Sequence, residues 1–376
     1  MKPVLLIVGN DAKYFISHRL PVAECARAHG YEVCIATPDG PSVSEIEGHG
    51  FKHHKVFLSR SGTNPFTELK ALMSLWRLCW RLRPDILHLV TIKPVIYGGI
   101  AARLSPVKGV LAAVPGLGFI FTASGVRATL LRGVISLLYR LALRKRNLLA
   151  VFQNPDDRNT LVNIGAVTHE KCVLIRGSGV DLKQYQAVPE GSGLPVVTFA
   201  ARLLRDKGVI EFVEASRILA LRGVEAKFQL VGDPDPGNPT SVSPDDVARW
   251  LEEGVVQCLG YQSDMPTILS RSHVVALPSY REGLPRVLVE AAACGRAVVT
   301  TDVPGCRDAI ERDVTGLLVP MRDASALADA IQNLIDNPIS RREMGQAGRK
   351  LAEREFAIES IAAQHLKIYR KLRGVS

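Results

Sequence analysis

Short apolar runs rich in Val and Ile alternate with helical stretches along the whole chain, and no other feature limits the fold as much. In the first half the runs fall at Val4–Val8, Tyr31–Ala36, His54–Leu58, Asp85–Val90, Val110–Val114, Leu148–Gln153 and Cys172–Ile175. In the second half they fall at Val196–Ala200, Lys227–Val231, Val255–Leu259, Val274–Leu277, Ala297–Thr301 and Gly316–Val319. Runs that are apolar throughout belong to strands covered on both faces. A helix after each strand gives parallel sheets with right-handed crossovers. Two successive series predict an α/β chain of two doubly wound Rossmann-like domains, which 376 residues can supply.

The Pro-, Gly- and Ser-bearing stretch Tyr185–Pro195 reads as the join between them. It predicts an N-terminal domain over 1–186 and a C-terminal domain over 195–356. Helical stretches at Ala324–Asn337, Ser340–Glu355 and Ile358–Leu372 close the chain, the last within a separate segment, 357–376. Ligands of open parallel sheets bind beyond the carboxyl ends of the strands. Two such domains facing each other make a cleft, with the chemistry in the loops after strands.

The cysteines, at 25, 34, 79, 172, 258, 294 and 306, are scattered and include no C-x-x-C pair. That excludes a disulfide scaffold and a thiolate zinc site, and fits a reducing compartment. No basic-then-apolar leader precedes Val4–Val8, and no charge-free run reaches the ~18 apolar residues of a membrane span. The expected location is cytoplasmic.

The net charge of +10 is unevenly divided: residues 1–190 hold 24 Lys+Arg against 13 Asp+Glu, and residues 191–376 hold 23 against 24. The excess in the first half suits an anionic partner. No nucleic-acid module is recognisable, and aromatic residues for stacking are only 6%. Two stretches point elsewhere. Leu69–Leu82 carries Trp76 and Trp80 with Lys70, Arg77 and Arg81, and Val126–Leu149 mixes Leu, Ile and Tyr139 with Arg127, Arg132, Arg140 and Arg144. Apolar faces edged with cations suit helices lying among anionic headgroups. The plainer reading packs the apolar stripes on the sheet and leaves the charges to solvent. Since both stretches fall in the basic half, an anionic membrane surface is the expected partner.

The strongest motif runs from Ser279 to Gly295, after the strand Val274–Leu277. Pro285 suits the first helical turn and Gly295 the C-terminal cap. Glu282 then lies in the loop, and Glu290 faces inward from the second turn. The amides near Gly283 and Leu284, at a helix start, form an anion site. Carboxylates accept hydrogen bonds from sugar hydroxyls while amides hold phosphate, so the pair suits a sugar nucleotide. The plainer reading, two solvated glutamates, fits poorly with the apolar neighbours Val287, Leu288, Val289, Ala291 and Ala292.

Phe199–Gly208 follows the second domain's first strand. There Arg202 and Lys207 can converge on one diphosphate, Arg through its planar fork and Lys as a point charge. Gly232-Asp233-Pro234-Asp235 follows another strand. Gly232 permits close approach to a ligand, whereas Asp233 and Asp235 as a metal-binding D-x-D pair are the lesser reading, because Arg202 and Lys207 already neutralise phosphate. No metal or other cofactor is expected. In the first domain, Asn10, His18, Arg19, Lys93, Gly116 and Gly118 follow strands and are candidates for the acceptor, with Lys93 as a phosphate contact. Gly9–Arg19 lacks G-x-G-x-x-G and is not a dinucleotide fingerprint. His88, inside an apolar strand, reads as a core histidine.

These residues resemble glycosyltransferase family 4, retaining enzymes of the two-domain GT-B architecture. Glu282 and Glu290 look like its E-x7-E pair, Arg202 and Lys207 match its diphosphate-binding Arg-x4-Lys, and Ser178-Gly179-Val180-Asp181 resembles its N-G-V-D turn with Ser for Asn. The Ile358–Leu372 stretch resembles the helix that crosses back onto the first domain. Lys93-Pro94…Tyr97-Gly98-Gly99 and Gly116-Leu117-Gly118-Phe119 resemble the branch extending undecaprenyl-diphosphate-linked sugars in bacterial O-antigen, capsule and protein-glycan pathways. The family's His, found in many members after the strand ending here at Val114, has no counterpart, so no catalytic His is carried over. The resemblance implies metal-independent, retaining transfer of a hexose or N-acetylhexosamine from a nucleotide sugar, UDP-linked by this branch, to a polyprenyl-diphosphate-linked sugar. It also implies an enzyme peripheral on the inner face of the cell membrane. Catalysis falls to Glu282, Arg202 and Lys207, and nucleotide-sugar binding to these with Glu290, Gly283, Leu284 and Gly232. The alternatives are a GDP-mannose-type transferase acting on another lipid or a soluble glycoside, and a nucleotide-sugar 2-epimerase of the same architecture.

Overall fold

The computed structural model describes residues 2–59, 64–117 and 125–374, with the backbone alone at 126–128. Among these residues the chain forms two compact units: Met1–Ser178 with Glu359–Ser376, and Gly179–Ile358.

The first unit holds a sheet of β1 (Val4–Val8), β2 (Glu32–Thr37), β3 (Lys52–Lys55), β4 (Ile86–Val90), β5 (Gly109–Val114), β6 (Leu148–Phe152) and β7 (Cys172–Leu174). The strands run parallel in the order β3-β2-β1-β4-β5-β6-β7. Every residue of β4, β5 and β6 is buried, which is why their sequences are apolar throughout. On one face Leu6, Leu87 and Leu89 pack with Leu75 and Leu78 of the helix Pro65–Leu82 and with Tyr139 of the helix Val126–Ala142. On the other, Leu5, Ile7 and Ile86 pack with Phe15 and Val22 of the helix Ala12–Ala28 and with Ile361 and Tyr369 of the helix Ile358–Arg373. The last helix therefore covers the first unit, as the resemblance implies.

The second unit holds β8 (Val196–Ala200), β9 (Lys227–Val231), β10 (Gln257–Gly260), β11 (Val274–Leu277), β12 (Ala297–Thr301) and β13 (Gly316–Val319). They run parallel in the order β10-β9-β8-β11-β12-β13.

Some expectations move. The third strand is Lys52–Lys55 and not His54–Leu58: it is an edge strand, where charged residues are favoured, and the apolar Val56 and Leu58 bury in the loop beyond it. The join between units falls at 178/179, ahead of Tyr185–Pro195. Val180 and Tyr185 belong to the second unit's core, and Glu190 is clamped to that unit by a buried pair with Arg341 at 2.8 Å. The Ser178–Asp181 turn meets the chain's return: Val180 N donates to Phe356 O at 2.8 Å and Ile358 N to Val180 O at 3.1 Å. Gly179, at φ +84°, is required there, since a Cβ would stand 2.8 Å from Ile358 Cα.

Candidate functional site

In the second unit the strand order reverses between β8 and β11, the place where doubly wound sheets bind ligands. The loops leaving these strands touch: a Cβ on Gly208 (φ +77°) would lie 2.1 Å from Pro278 O. Tyr280 N and Ser279 Oγ both donate to Asp206 O, at 2.9 and 3.1 Å. This backbone lock sets Lys207 Nζ 2.5 Å from Glu282 Oε1, with the two side chains 21% and 13% exposed. Ser279 Oγ also donates to Glu282 Oε1 at 2.8 Å. From below, Thr301 Oγ1 donates to Ser279 O. Glu282 N donates to Pro304 O at 3.1 Å, and Gly305 (φ +83°) passes so close that a Cβ would meet Glu282 O at 2.3 Å.

Arg202, in the loop after β8, pairs with Asp235 Oδ2 at 2.5 Å. That pairing uses one member of the D-x-D pair, and among the described residues no three His, Cys, Asp or Glu gather as a metal-ligand set. Gly232, at φ +132°, brings the β9 loop against the β8 loop, where a Cβ would stand 2.0 Å from Ala201 O.

The helix after the loop is Arg286–Ala293, with Pro285 as N-cap and Gly295 at φ +68° beyond its end. Its first turn holds no acid and no side-chain cap, so the positive end of its dipole is not countered by its own side chains. Glu290 is 5% exposed. Burial pushes its carboxyl above the ordinary range, opposed by Arg286 Nε at 2.6 Å and by Tyr185, whose hydroxyl donates to Oε1 at 2.8 Å. Burial, with Glu290 beside it, raises the Tyr185 phenol in turn. The loop is braced behind by Tyr280, whose hydroxyl donates to Glu211 Oε1 at 2.6 Å and is pushed up to about 12, chiefly by burial.

The sequence reading put Ser279 at the head of its strongest motif without a role of its own, and it missed Tyr185 and Gly305. Gly305 follows β12, so the strand-end rule that found the other loops would have found it. Tyr185 had no such signal, because it lies in the stretch read as a linker.

In the first unit the candidates do not form one group. Asn10 is half-buried after β1, and Gly116 half-buried after β5; Gly118 and Phe119 lie outside the described residues, as does the side chain of Arg127. His18 stacks on Tyr14 at 4.1 Å and its Nδ1 lies 2.7 Å from Ser17 Oγ. Lys93 Nζ pairs with Glu68 Oε1 at 2.6 Å and donates to Ser59 Oγ at 2.8 Å. Arg19 is the correction: at 2% exposure its guanidinium is no surface contact for an acceptor. It sits on the buried stripe Phe15–Arg19–Val22–Ala26 of its helix and acts electrostatically on His88, His365 and Tyr369. His88 is fully buried, its Nδ1 2.8 Å from Tyr369 Oη.

Two family models match this chain: glycosyl transferase 4-like over residues 4–154, and glycosyl transferases group 1 over residues 182–351. It is 30% identical, over 94% of its length and 97% of the other's, to the N,N'-diacetylbacillosaminyl-diphospho-undecaprenol alpha-1,3-N-acetylgalactosaminyltransferase of Campylobacter jejuni. It is 26% identical, over 72% of each chain, to the UDP-Gal:alpha-D-GlcNAc-diphosphoundecaprenol alpha-1,3-galactosyltransferase of Escherichia coli. Among solved structures, sucrose-phosphate synthase from Thermosynechococcus elongatus shares the fold with a TM-score of 0.83 at 21% identity, covering all of both chains.

Proposed function

The chain belongs to glycosyltransferase family 4, the group 1 glycosyl transferases, and we propose that it moves a hexose or N-acetylhexosamine from a UDP-sugar to a polyprenyl-diphosphate-linked sugar. It is a glycosyltransferase; donor, acceptor and site roles are our reading. The observation that carries the reading is the Lys207–Glu282 pair at the carboxyl ends of β8 and β11. A cation for departing phosphate and a carboxylate for sugar hydroxyls stand together at the sheet's reversal. The names of the Campylobacter and Escherichia relatives support a lipid-diphosphate acceptor, and the Escherichia name supports UDP.

In this reading Lys207 and Arg202 take the donor diphosphate. Negative charge grows there as the bond from the anomeric carbon to phosphate oxygen breaks, and preorganised cations hold it best in the transition state. The amides at Gly283 and Leu284 and the start of the helix Arg286–Ala293 add to this field, and Gly232 lets the ligand approach backbone. Glu282 orients the sugar by its hydroxyls. Glu290, whose Oε1 is committed to Tyr185 and Arg286, offers its other oxygen to the ribose. The acceptor hydroxyl oxygen forms the new bond on the face the phosphate leaves, giving retention, and its proton passes to the departing phosphate. Asn10, His18, Lys93 and Gly116 of the first unit serve the acceptor.

We place the first unit on an anionic membrane surface, where a lipid-linked acceptor resides, in the assembly of a surface polysaccharide or glycan. No helix among the described residues is long and apolar enough to cross a membrane. The helix Pro65–Leu82 exposes Phe66 (84%), Leu69, Met73 and Trp80, and the helix Val126–Ala142 exposes Leu130, Val134 and Leu137. Both flank the helix Gly99–Arg103: Trp76 and Trp80 donate to Leu104 O, and Arg103 to Leu141 O at 3.1 Å. Apolar side chains edged by Lys70, Arg77, Arg81 and Arg140 suit headgroups, each cation adding roughly 1 kcal/mol.

Nucleotide release from UDP-, GDP- and dTDP-sugars, with and without a polyprenyl-diphosphate-linked monosaccharide and with EDTA present, tests the chemistry. The reading requires acceptor-dependent UDP release that EDTA does not stop. Release of GDP, or an equal rate without lipid acceptor, overturns the donor or acceptor assignment. Activity lost to EDTA returns Asp233 and Asp235 to consideration. Co-sedimentation with anionic vesicles that weakens as salt rises tests the membrane placement.

A further inference from the structure

Lys93 leaves β4 through a turn that the chain strains to make. Thr91, a β-branched residue, holds φ +77°, Val95 N donates to Thr91 O at 3.0 Å, and Pro94–Gly98 forms a π turn. Such backbone persists only where the surroundings fix it, and π turns cluster at functional sites. The turn delivers the Lys93 ammonium to Glu68, with side chains 19% and 16% exposed. Tyr97, on the same turn, has its phenol pushed up by burial and by Glu68 beside it. Glu68 is the one acid in the first turn of Pro65–Leu82, and its position falls on the inward face with Ala71, Leu75 and Leu78. Phe66, Leu69 and Met73 occupy the opposite, exposed face. A carboxylate turned inward on an amphipathic helix and tied to a strained turn is a poor device for stability alone, because half-buried pairs lose in desolvation much of what they gain.

We propose that Glu68 is a positioning residue for acceptor binding: it fixes the Lys93 ammonium against the helix Pro65–Leu82, so that the lysine meets the acceptor's diphosphate when the helix's outer face lies on the membrane. The inference rests on the acceptor and membrane reading given above. Lysine's four-carbon stem is flexible, and holding it in place beforehand spares its ordering on binding.

Steady-state kinetics on the full chain test this with two acceptors: a polyprenyl-diphosphate-linked monosaccharide in anionic vesicles, and a short-chain, water-soluble diphosphate analogue. Glu68→Gln raises KM for both acceptors about tenfold, the scale of ordering one long side chain, with kcat and donor KM within about twofold. Lys93→Ala raises acceptor KM at least as much, and the double variant matches Lys93→Ala alone. Glu68→Asp, which keeps the charge, recovers part of the loss. A double variant showing the product of the two single effects overturns the proposal. So does a loss confined to the vesicle acceptor, or a lowered melting temperature with acceptor KM unchanged. If Lys93→Ala leaves acceptor KM unchanged, the reading of Lys93 as a diphosphate contact fails first, and the proposal falls with it.

Discussion

Lys207 and Glu282, 75 positions apart in sequence, meet at 2.5 Å because Tyr280 N and Ser279 Oγ both bond the backbone of Asp206, the residue beside Lys207. The loop that carries the carboxylate is thus built onto the loop that carries the cation. Glu282→Gln and Lys207→Ala should each lower kcat by about 10²–10³, the usual loss for one preorganised electrostatic group, with little change in thermal unfolding. The double variant should lose less than the product of the two, because they act as a unit. Turnover measured beside a melting curve checks both; either single variant at wild-type rate contradicts the assignment.

Gly232→Ala should destabilise the second unit by about 2 kcal/mol or more, since it combines φ +132° with a Cβ 2.0 Å from Ala201 O. Gly223→Ala is the control: it sits at φ +73° with nothing within 4 Å, so only the backbone preference, about 1 kcal/mol, is lost. Denaturant midpoints of the two variants should differ in that order.

Tyr185→Phe removes the hydroxyl that Glu290 accepts at 2.8 Å and leaves a buried carboxylate with less support. The expected cost is about 1–3 kcal/mol of stability, with a raised KM for the donor and an unaltered KM for the acceptor. Chemical denaturation and the two KM values check it.

The first unit should weaken in mild acid. His365 is held down to about 3 and His88 well below the ordinary 6.5, both chiefly by burial, with Arg19 adding repulsion. The unfolded chain takes these protons near pH 6.5 and the folded chain does not. Stability is therefore full above that pH and falls as pH drops below it, for His365 by about 1.4 kcal/mol per pH unit from about 6.5 toward 3. Denaturation midpoints at pH 7 and pH 5 should differ, and His365→Gln should lessen the difference. Equal midpoints would contradict the assignment.

The sheets were legible because burial on both faces demands continuous apolar runs, and all the expected strands are present, with ends shifted by a few residues. The site loops were legible because Gly, Pro, Arg and Glu stood directly after those runs. Three features were not. Tyr185–Pro195 has a linker's composition, yet Val180, Tyr185 and Glu190 are held by contacts that composition does not encode. Arg19 follows a strand as an acceptor contact would, yet its spacing from Phe15 and Val22 places it on the buried stripe of its helix. The partners of Lys93 and Glu290, namely Glu68 and Tyr185, lie 25 and 105 positions away, beyond any local pattern.

The most direct test of the account is the mass of the lipid product. The full chain is incubated with a UDP-linked N-acetylhexosamine or hexose and a polyprenyl-diphosphate-linked monosaccharide, and the extracted lipid is weighed by mass spectrometry. The account predicts a lipid heavier by one sugar residue, formed by the wild-type chain and not by Glu282→Gln. Donor consumed while the lipid keeps its mass, or the same heavier lipid from Glu282→Gln at wild-type rate, would contradict it.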